Sequence, residues 1–357
     1  MSRSRAIKVL VIDDSALMRQ MLSAMLAEDP GIEVVGTAAN AFVARERIKT
    51  LRPDVLTLDV EMPGMDGITF LERLMRLYPL PVVMVSSLTE KGAGVTVRAL
   101  ELGALDFVTK PQGGVREGLS TIVQEIRSKI HAAAGARVRA RCPAALARSA
   151  PPVSGPRRIA GTVIAIGASV GGPQAITEIL EPLQRDTPPI VIVQHMPQRF
   201  TRHFAERLDG QCGIDVREAQ DGDLLHPGLA LIAPGGAHMA LSHRPGGYAV
   251  RVFDGDPVNR HRPSVDVLFE SVARIAGPNA LGVILTGMGD DGAKGLRAMQ
   301  RAGAHTIAQD EESCVVFGMP EHAIRLNGAR EVLPLEKIAG RMARWEPAPG
   351  QPGPAIP

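Results

Sequence analysis

Five residues in the first third of the chain have side chains suited to handling a phosphoryl group. Asp13 and Asp14 close a first apolar run, Asp59 and Ser86 close two later ones, and Lys110 follows a fourth. Carboxylates gathered in one place repel one another unless a cation sits among them. Mg²⁺ suits such a place, because it takes few carboxylates together with water and phosphate oxygens. Within that set Asp59 can attack a phosphoryl donor and form an acyl phosphate. Lys110 can balance the phosphoryl charge, and the Ser86 hydroxyl can hydrogen-bond to it. One aspartate at a strand end is ordinarily a helix cap, but five matched residues at the ends of four runs are not explained by capping.

The second half carries a different chemistry. Ser169 stands in Gly167-Ala168-Ser169-Val170-Gly171-Gly172, after an apolar run and before a helical pattern opened by Gly171-Gly172-Pro173. Such a turn exposes a hydroxyl at a sheet edge and aims helix-start N–H groups at a developing oxyanion. The segment also fits the G-x-S-x-G nucleophile pattern. A glycine-rich turn of this kind equally suits a phosphate, yet a serine replaces the second glycine of the dinucleotide fingerprint and the Walker lysine is absent. A serine nucleophile needs a base, and the base needs an orienting acid. His195 ends the next apolar run, and Asp290 and Asp291 follow a later one, so these residues are expected on one edge of one sheet. His203, His226, His238, His243 and His261 have no such placement and are expected on the surface or in loops. No close ligand cluster supports a metal on His195 and Asp291. The order Ser-His-Asp differs from that of the α/β-hydrolases, which place the acid before the histidine.

The elements that must hold these residues alternate. Apolar runs at 7–12, 32–37, 55–59, 82–86 and 106–109 read as strands, separated by helical patterns at 16–28, 42–51, 69–77 and 95–102, with a last helix near 117–130. Continuous apolar strands alternating with amphipathic helices predict a doubly wound parallel α/β sheet over residues 5–131. Residues 132–158 hold six arginines, two proline-containing pairs and no acidic residue, which reads as a linker. A second doubly wound α/β domain is expected over 159–345, with strands at 162–166, 190–194, 229–233, 281–286 and 306–308. Its helices are expected at 175–180, 201–208, 265–276 and 293–302. A β-hairpin is expected around Pro245-Gly246-Gly247. The Pro/Gly-rich tail 346–357 reads as disordered.

Lys plus Arg (40) nearly balances Asp plus Glu (38), which gives no reason to expect a nucleic-acid or membrane surface. Aromatics make up only 3%, so the core must rest on aliphatic residues and Met. Three widely spaced cysteines, Cys142, Cys212 and Cys314, point to free thiols in a reducing, cytoplasmic setting. The start of the chain does not read as a signal peptide, and no apolar run approaches the roughly 20 residues of a membrane helix.

Residues 5–131 resemble a response-regulator receiver domain, through Val11-Ile12-Asp13-Asp14-Ser15, Leu58-Asp59-Val60-Glu61-Met62-Pro63-Gly64-Met65-Asp66-Gly67, Met84-Val85-Ser86-Ser87 and Val108-Thr109-Lys110-Pro111. That resemblance implies Asp59 as phosphoacceptor, Asp13, Asp14 and Asp59 as Mg²⁺ ligands, and Phe107 as a switch aromatic beside Ser86 and Lys110. With the second half, the chain resembles the chemotaxis protein-glutamate methylesterase family. The matching motifs are the Ser169 segment, Gln194-His195-Met196-Pro197, Leu285-Thr286-Gly287-Met288-Gly289-Asp290-Asp291-Gly292 and Ser313-Cys314-Val315-Val316-Phe317-Gly318-Met319-Pro320. The resemblance implies Ser169 as nucleophile, His195 as base, Asp291 as its acid and Met288 as an oxyanion donor. It also implies hydrolysis of glutamate methyl esters, and deamidation of certain glutamines, on methyl-accepting chemotaxis receptors, with a chemotaxis histidine kinase as phosphodonor. A non-catalytic receptor-binding adaptor would keep the fold without needing the Ser169, His195, Asp291 set.

Overall fold

A computed structural model describes residues 5–86, 90–110, 116–136 and 161–347. They fall in two compact units, one on each side of residue 143. Most of the expected linker and the expected tail lie outside the described residues.

The first unit runs β1 (Ile7–Ile12), α1 (Ala16–Ala27), β2 (Ile32–Ala38), α2 (Ala41–Leu51), β3 (Val55–Asp59), α3 (Gly67–Leu77), β4 (Val82–Ser86), α4 (Glu90–Leu102), β5 (Asp106–Thr109) and α5 (Arg116–Ala134). The strands pair in parallel in the order β2-β1-β3-β4-β5. β3 and β4 are buried along their whole length, as strands covered by helices on both faces must be. Short polar residues start α2 and α3: Asn40 accepts from the N–H groups of Phe42 and Val43, and Asp66 from Thr69. Such caps satisfy donors that the first turn leaves unpaired. The last helix of this unit, expected near 117–130, runs on to Ala134, into the segment that reads as a linker from residue 132. Residues 132–134 are alanines, which favour helix, and Ala132 and Ala133 are buried.

The second unit runs β6 (Val163–Ala168), α6 (Gly172–Leu180), β7 (Ile190–Gln194), α7 (Phe200–Asp209), β8 (Asp215–Glu218), β9 (Leu229–Ile232), β10 (His238–Arg244), β11 (Gly247–Phe253), α8 (Val265–Ile275), β12 (Ala280–Ile284), α9 (Ala293–Arg301), β13 (His305–Gln309), α10 (Met319–Arg325), β14 (Glu331–Leu333) and α11 (Leu335–Ala343). Seven parallel strands are ordered β14-β13-β12-β6-β7-β9-β8, and β10 and β11 form the expected antiparallel hairpin. From β6 the chain first builds toward β8, then returns to the other side of β6 through β12 toward β14. The β6–β12 pair is therefore the topological switch point, and the crevice beyond its carboxyl ends is where open α/β sheets bind ligands. α8 lays Val265, Leu268, Phe269 and Val272 into a core shared with Met239, Leu241 and Val250 of the hairpin. β8 and β14, unanticipated from the sequence, are the edge strands, and each is short and partly exposed. Edge strands of that kind lack the continuous apolar run that marks their buried neighbours.

Candidate functional sites

In the first unit, Asp13 follows β1, Asp59 ends β3, Ser86 ends β4 and Lys110 follows β5, so the parallel register brings all four to one edge. The Lys110 ammonium lies 2.7 Å from Asp59 Oδ2 and 3.2 Å from Asp13 Oδ2. Ligand oxygens of Asp13, Asp14 and Asp59 lie within 4.8 Å of one another. That span accommodates a cation with Mg²⁺–oxygen distances of about 2.1 Å, so the donor set fits a hard divalent ion. Asp13 and Asp59 are buried and Asp14 is exposed. Burial pushes the Asp59 carboxyl up to about 6, against the pull of Lys110 and with the added repulsion of Asp13. The Ser86 hydroxyl is buried and accepts from Thr96 Oγ1 at 2.6 Å, which ties the end of β4 to α4. Phe107 is also buried, with the Lys129 ammonium 5.2 Å from its ring centre.

In the second unit, Ser169 follows β6 in a tight turn. Its carbonyl accepts from Gly172 N–H at 2.8 Å, and Gly171 takes φ +75°, a left-handed value that a residue with Cβ adopts at a cost. Gln194, buried at the end of β7, donates its side-chain amide to the carbonyls of Ser169 (2.9 Å) and His195 (3.2 Å). Beyond β12 the Thr286 carbonyl accepts from Ser169 N–H at 3.0 Å. Gly287 packs so closely on the serine that a Cβ there would lie 2.8 Å from Ser169 Cβ. Met288 follows, half-buried, and among the described residues its N–H has no acceptor.

His195 Nε2 lies 2.8 Å from Asp291 Oδ2, with only 7% and 1% of the two side chains exposed. Asp290 is exposed and turned to solvent. Asp291 is held by four further donors: Asn259 Nδ2 at 2.8 Å, Ser264 Oγ at 2.7 Å, and the N–H groups of Val265 (2.7 Å) and Asp266 (3.2 Å). The last two are orphan donors of the first turn of α8, so Asp291 caps a helix from 25 residues away, where the helix dipole favours a negative charge. Burial opposes that charge, but the His195 bond, with Asn259 and Ser264, holds the carboxyl well below the usual carboxylate range. With Nε2 committed to Asp291, the nitrogen left for proton transfer is Nδ1, which is buried without a hydrogen-bond partner.

Two of the histidines expected on the surface or in loops are more deeply involved. His238 is buried, with Nδ1 accepting from Ser264 N–H at 3.3 Å. The His261 ring stacks on that of His195, centroids 3.7 Å apart and planes within 9°. Asn259, Ser264 and Gln194 also carry parts of the site that the sequence left unassigned. Of these only Ser264 had a local signal, a serine directly before an amphipathic run.

Residues 164–342 match the family model described as CheB methylesterase, and residues 9–123 match that of the response regulator receiver domain. A protein from Salmonella typhi named protein-glutamate methylesterase/protein-glutamine glutaminase is 56% identical over 94% of this chain and 96% of its own length. One of the same name from Bordetella parapertussis is 57% identical over 95% and 97%. The solved CheB methylesterase catalytic domain of Thermotoga maritima is 40% identical, covers 52% of this chain and 98% of its own, and superposes with a TM-score of 0.50.

Proposed function

The chain belongs to the CheB methylesterase family, and from that premise we propose that Ser169, His195 and Asp291 hydrolyse γ-glutamyl methyl esters on the cytoplasmic helices of chemoreceptors. The observation that supports the reading most directly is the buried His195–Asp291 pair, whose free Nδ1 lies at the sheet edge that also carries Ser169. In this mechanism Nδ1 takes the Ser169 proton as Oγ attacks the ester carbonyl. Asp291 keeps the proton of the neutral ring on Nε2 and stabilises the imidazolium. The Met288 N–H meets the oxyanion. His195 returns its proton to the departing methoxide, releasing methanol, and water then frees the acyl-enzyme by the same steps in reverse. A glutamine amide passes through the same kind of tetrahedral oxyanion and releases ammonia, so one constellation serves both substrates.

The receiver supplies the control. Asp59 is the phosphoacceptor, with a chemotaxis histidine kinase as donor, and Lys110 and Ser86 contact the phosphoryl oxygens. Mg²⁺, held by Asp13, Asp14 and Asp59, would neutralise charge between carboxylate and phosphoryl group. Phosphorylation of Asp59 raises hydrolase activity. Among the described residues no helix is long and apolar enough to cross a membrane, which fits a cytoplasmic enzyme acting on receptor tails.

The test is methanol release from methylated receptor cytoplasmic fragments with Mg²⁺, with and without a small-molecule phosphodonor. Release should rise with phosphodonor and vanish in Ser169→Ala, while that variant still becomes phosphorylated. Retained release in Ser169→Ala removes the serine from its role, and equal release with and without phosphodonor rejects the switch.

A further inference from the structure

One short turn supplies a partner to each member of the His195–Asp291 pair. Val258 and His261 form an isolated antiparallel bridge, with Val258 N–H donating to the His261 carbonyl (3.1 Å) and His261 N–H to that of Val258 (2.9 Å). The two residues between them, Asn259 and Arg260, both have left-handed φ, +50° and +69°. Positive φ at both central positions is the signature of a type I′ turn, which normally calls on glycine or asparagine. An arginine there is strained, and strain of this kind persists only where the surroundings over-determine it. The turn's first central residue, Asn259, divides its amide between Asp291 Oδ1 (2.8 Å) and Asp266 Oδ2 (2.7 Å). Its last residue lays the His261 imidazole flat on that of His195.

We propose that His261 is a positioning residue for the base: its stacked ring fixes the plane of the His195 imidazole, so that Nδ1 stays directed toward the nucleophile. This rests on the esterase reading. The hydrogen bond to Asp291 alone does not fix that plane, because the ring can still turn about the Nε2···Oδ2 line, and the terminal torsion of a histidine is intrinsically broad. A second flat ring 3.7 Å away removes that freedom. The stack needs a planar face and not a titrating nitrogen, which separates positioning from proton transfer.

The experiment measures kcat and KM for methanol release by the full-length chain as wild type, His261→Ala, His261→Phe and His195→Ala, with Trp345 fluorescence following unfolding. His261→Ala should lower kcat about tenfold or more with KM changed less than about twofold, the mark of lost alignment and not of lost binding. His261→Phe should return kcat to within about threefold of wild type, because the flat face is restored. Should His261→Phe unfold, His261→Tyr carries the same test. A His261→Ala enzyme with wild-type kcat overturns the proposal. So does a change in KM alone, or a folded His261→Phe as slow as His261→Ala. A wild type that releases no methanol overturns the esterase reading itself, whereas an active wild type matched by His261→Ala overturns only the stack.

Discussion

Replacing Asp291 by asparagine keeps the size of a side chain 1% exposed and removes one thing, its capacity to accept with both ends. Oδ1 accepts from Ser264, Asn259 and Asp266, and Oδ2 from Val265 N–H and His195. Whichever way the new amide is turned, its NH₂ faces at least two former donors. Turned toward the Oδ2 side, it meets Val265 N–H with nothing to accept, and it can satisfy His195 only if Nε2 becomes the acceptor. The proton then sits on Nδ1, the nitrogen that must receive the Ser169 proton. Two charge-assisted hydrogen bonds of about 1.5–3 kcal/mol each are forfeited, so the catalytic unit should lose about 3–6 kcal/mol, a range that overlaps the cost of about 3–5 kcal/mol for breaking a buried ion pair. The wrong tautomer should lower kcat about 10⁴-fold, the size seen when a serine-protease triad loses its acid in this way. Both effects are measurable in one protein. Trp345, the only tryptophan, is buried beyond α11, so its fluorescence in a denaturant titration reports the catalytic unit, and methanol release reports kcat. The pH dependence supplies a sign. The Asp291 carboxyl is held below its usual value in the fold, so its stabilisation is fully present above the unfolded value and is lost as pH falls through the folded one. The stability gap between wild type and variant should therefore be widest near neutrality and narrow under acid. A variant within tenfold of wild-type kcat, or a gap that widens as pH falls, refutes the reasoning.

In the receiver, burial lifts Asp59 to about 6, so without a divalent ion its ionised, nucleophilic form is lost as pH falls through that value. Phosphorylation by a small-molecule donor, measured as incorporated phosphate in limiting Mg²⁺, should drop below about pH 6, and saturating Mg²⁺ should move the midpoint down. Chelation with EDTA should abolish incorporation, and Asp59→Asn should show none at any pH. Gly287→Ala would place a methyl group 2.2 Å from Met319 Sδ and 2.8 Å from Ser169 Cβ. Met319 can give way but the serine is anchored by its backbone, so kcat should fall about a hundredfold while the receiver is still phosphorylated; an unchanged kcat would mean that Ser169 is not held as tightly as its neighbours suggest.

What was legible in the sequence divides along a physical line. β1, β3, β4, β5 and β7 have the bounds that their apolar runs imply; in β3, β4 and β7, buried along their whole length, a strand covered on both faces is mainly apolar and ends where a polar residue is needed. The candidate chemistry at their carboxyl ends was legible for the same reason. Spacing could not choose between Asp290 and Asp291, since adjacent residues in a loop share every periodic feature; only the family resemblance separated them, and one is exposed while the other is buried against His195. A serine directly before an amphipathic run is the local mark of a helix start, yet the Ser264 hydroxyl does not cap its own helix and instead donates to Asp291. Its identity was local and its role was not. Asn259 and His261 lie beyond the reach of such reading altogether. They arrive at the pair through a two-residue turn in left-handed conformations, without the glycine that would have announced it. A buried carboxylate needs several donors converging from different directions, and no single helix or strand can supply them all. Part of such a site must then be built by irregular backbone, where neither the period of two nor that of 3.6 leaves a trace.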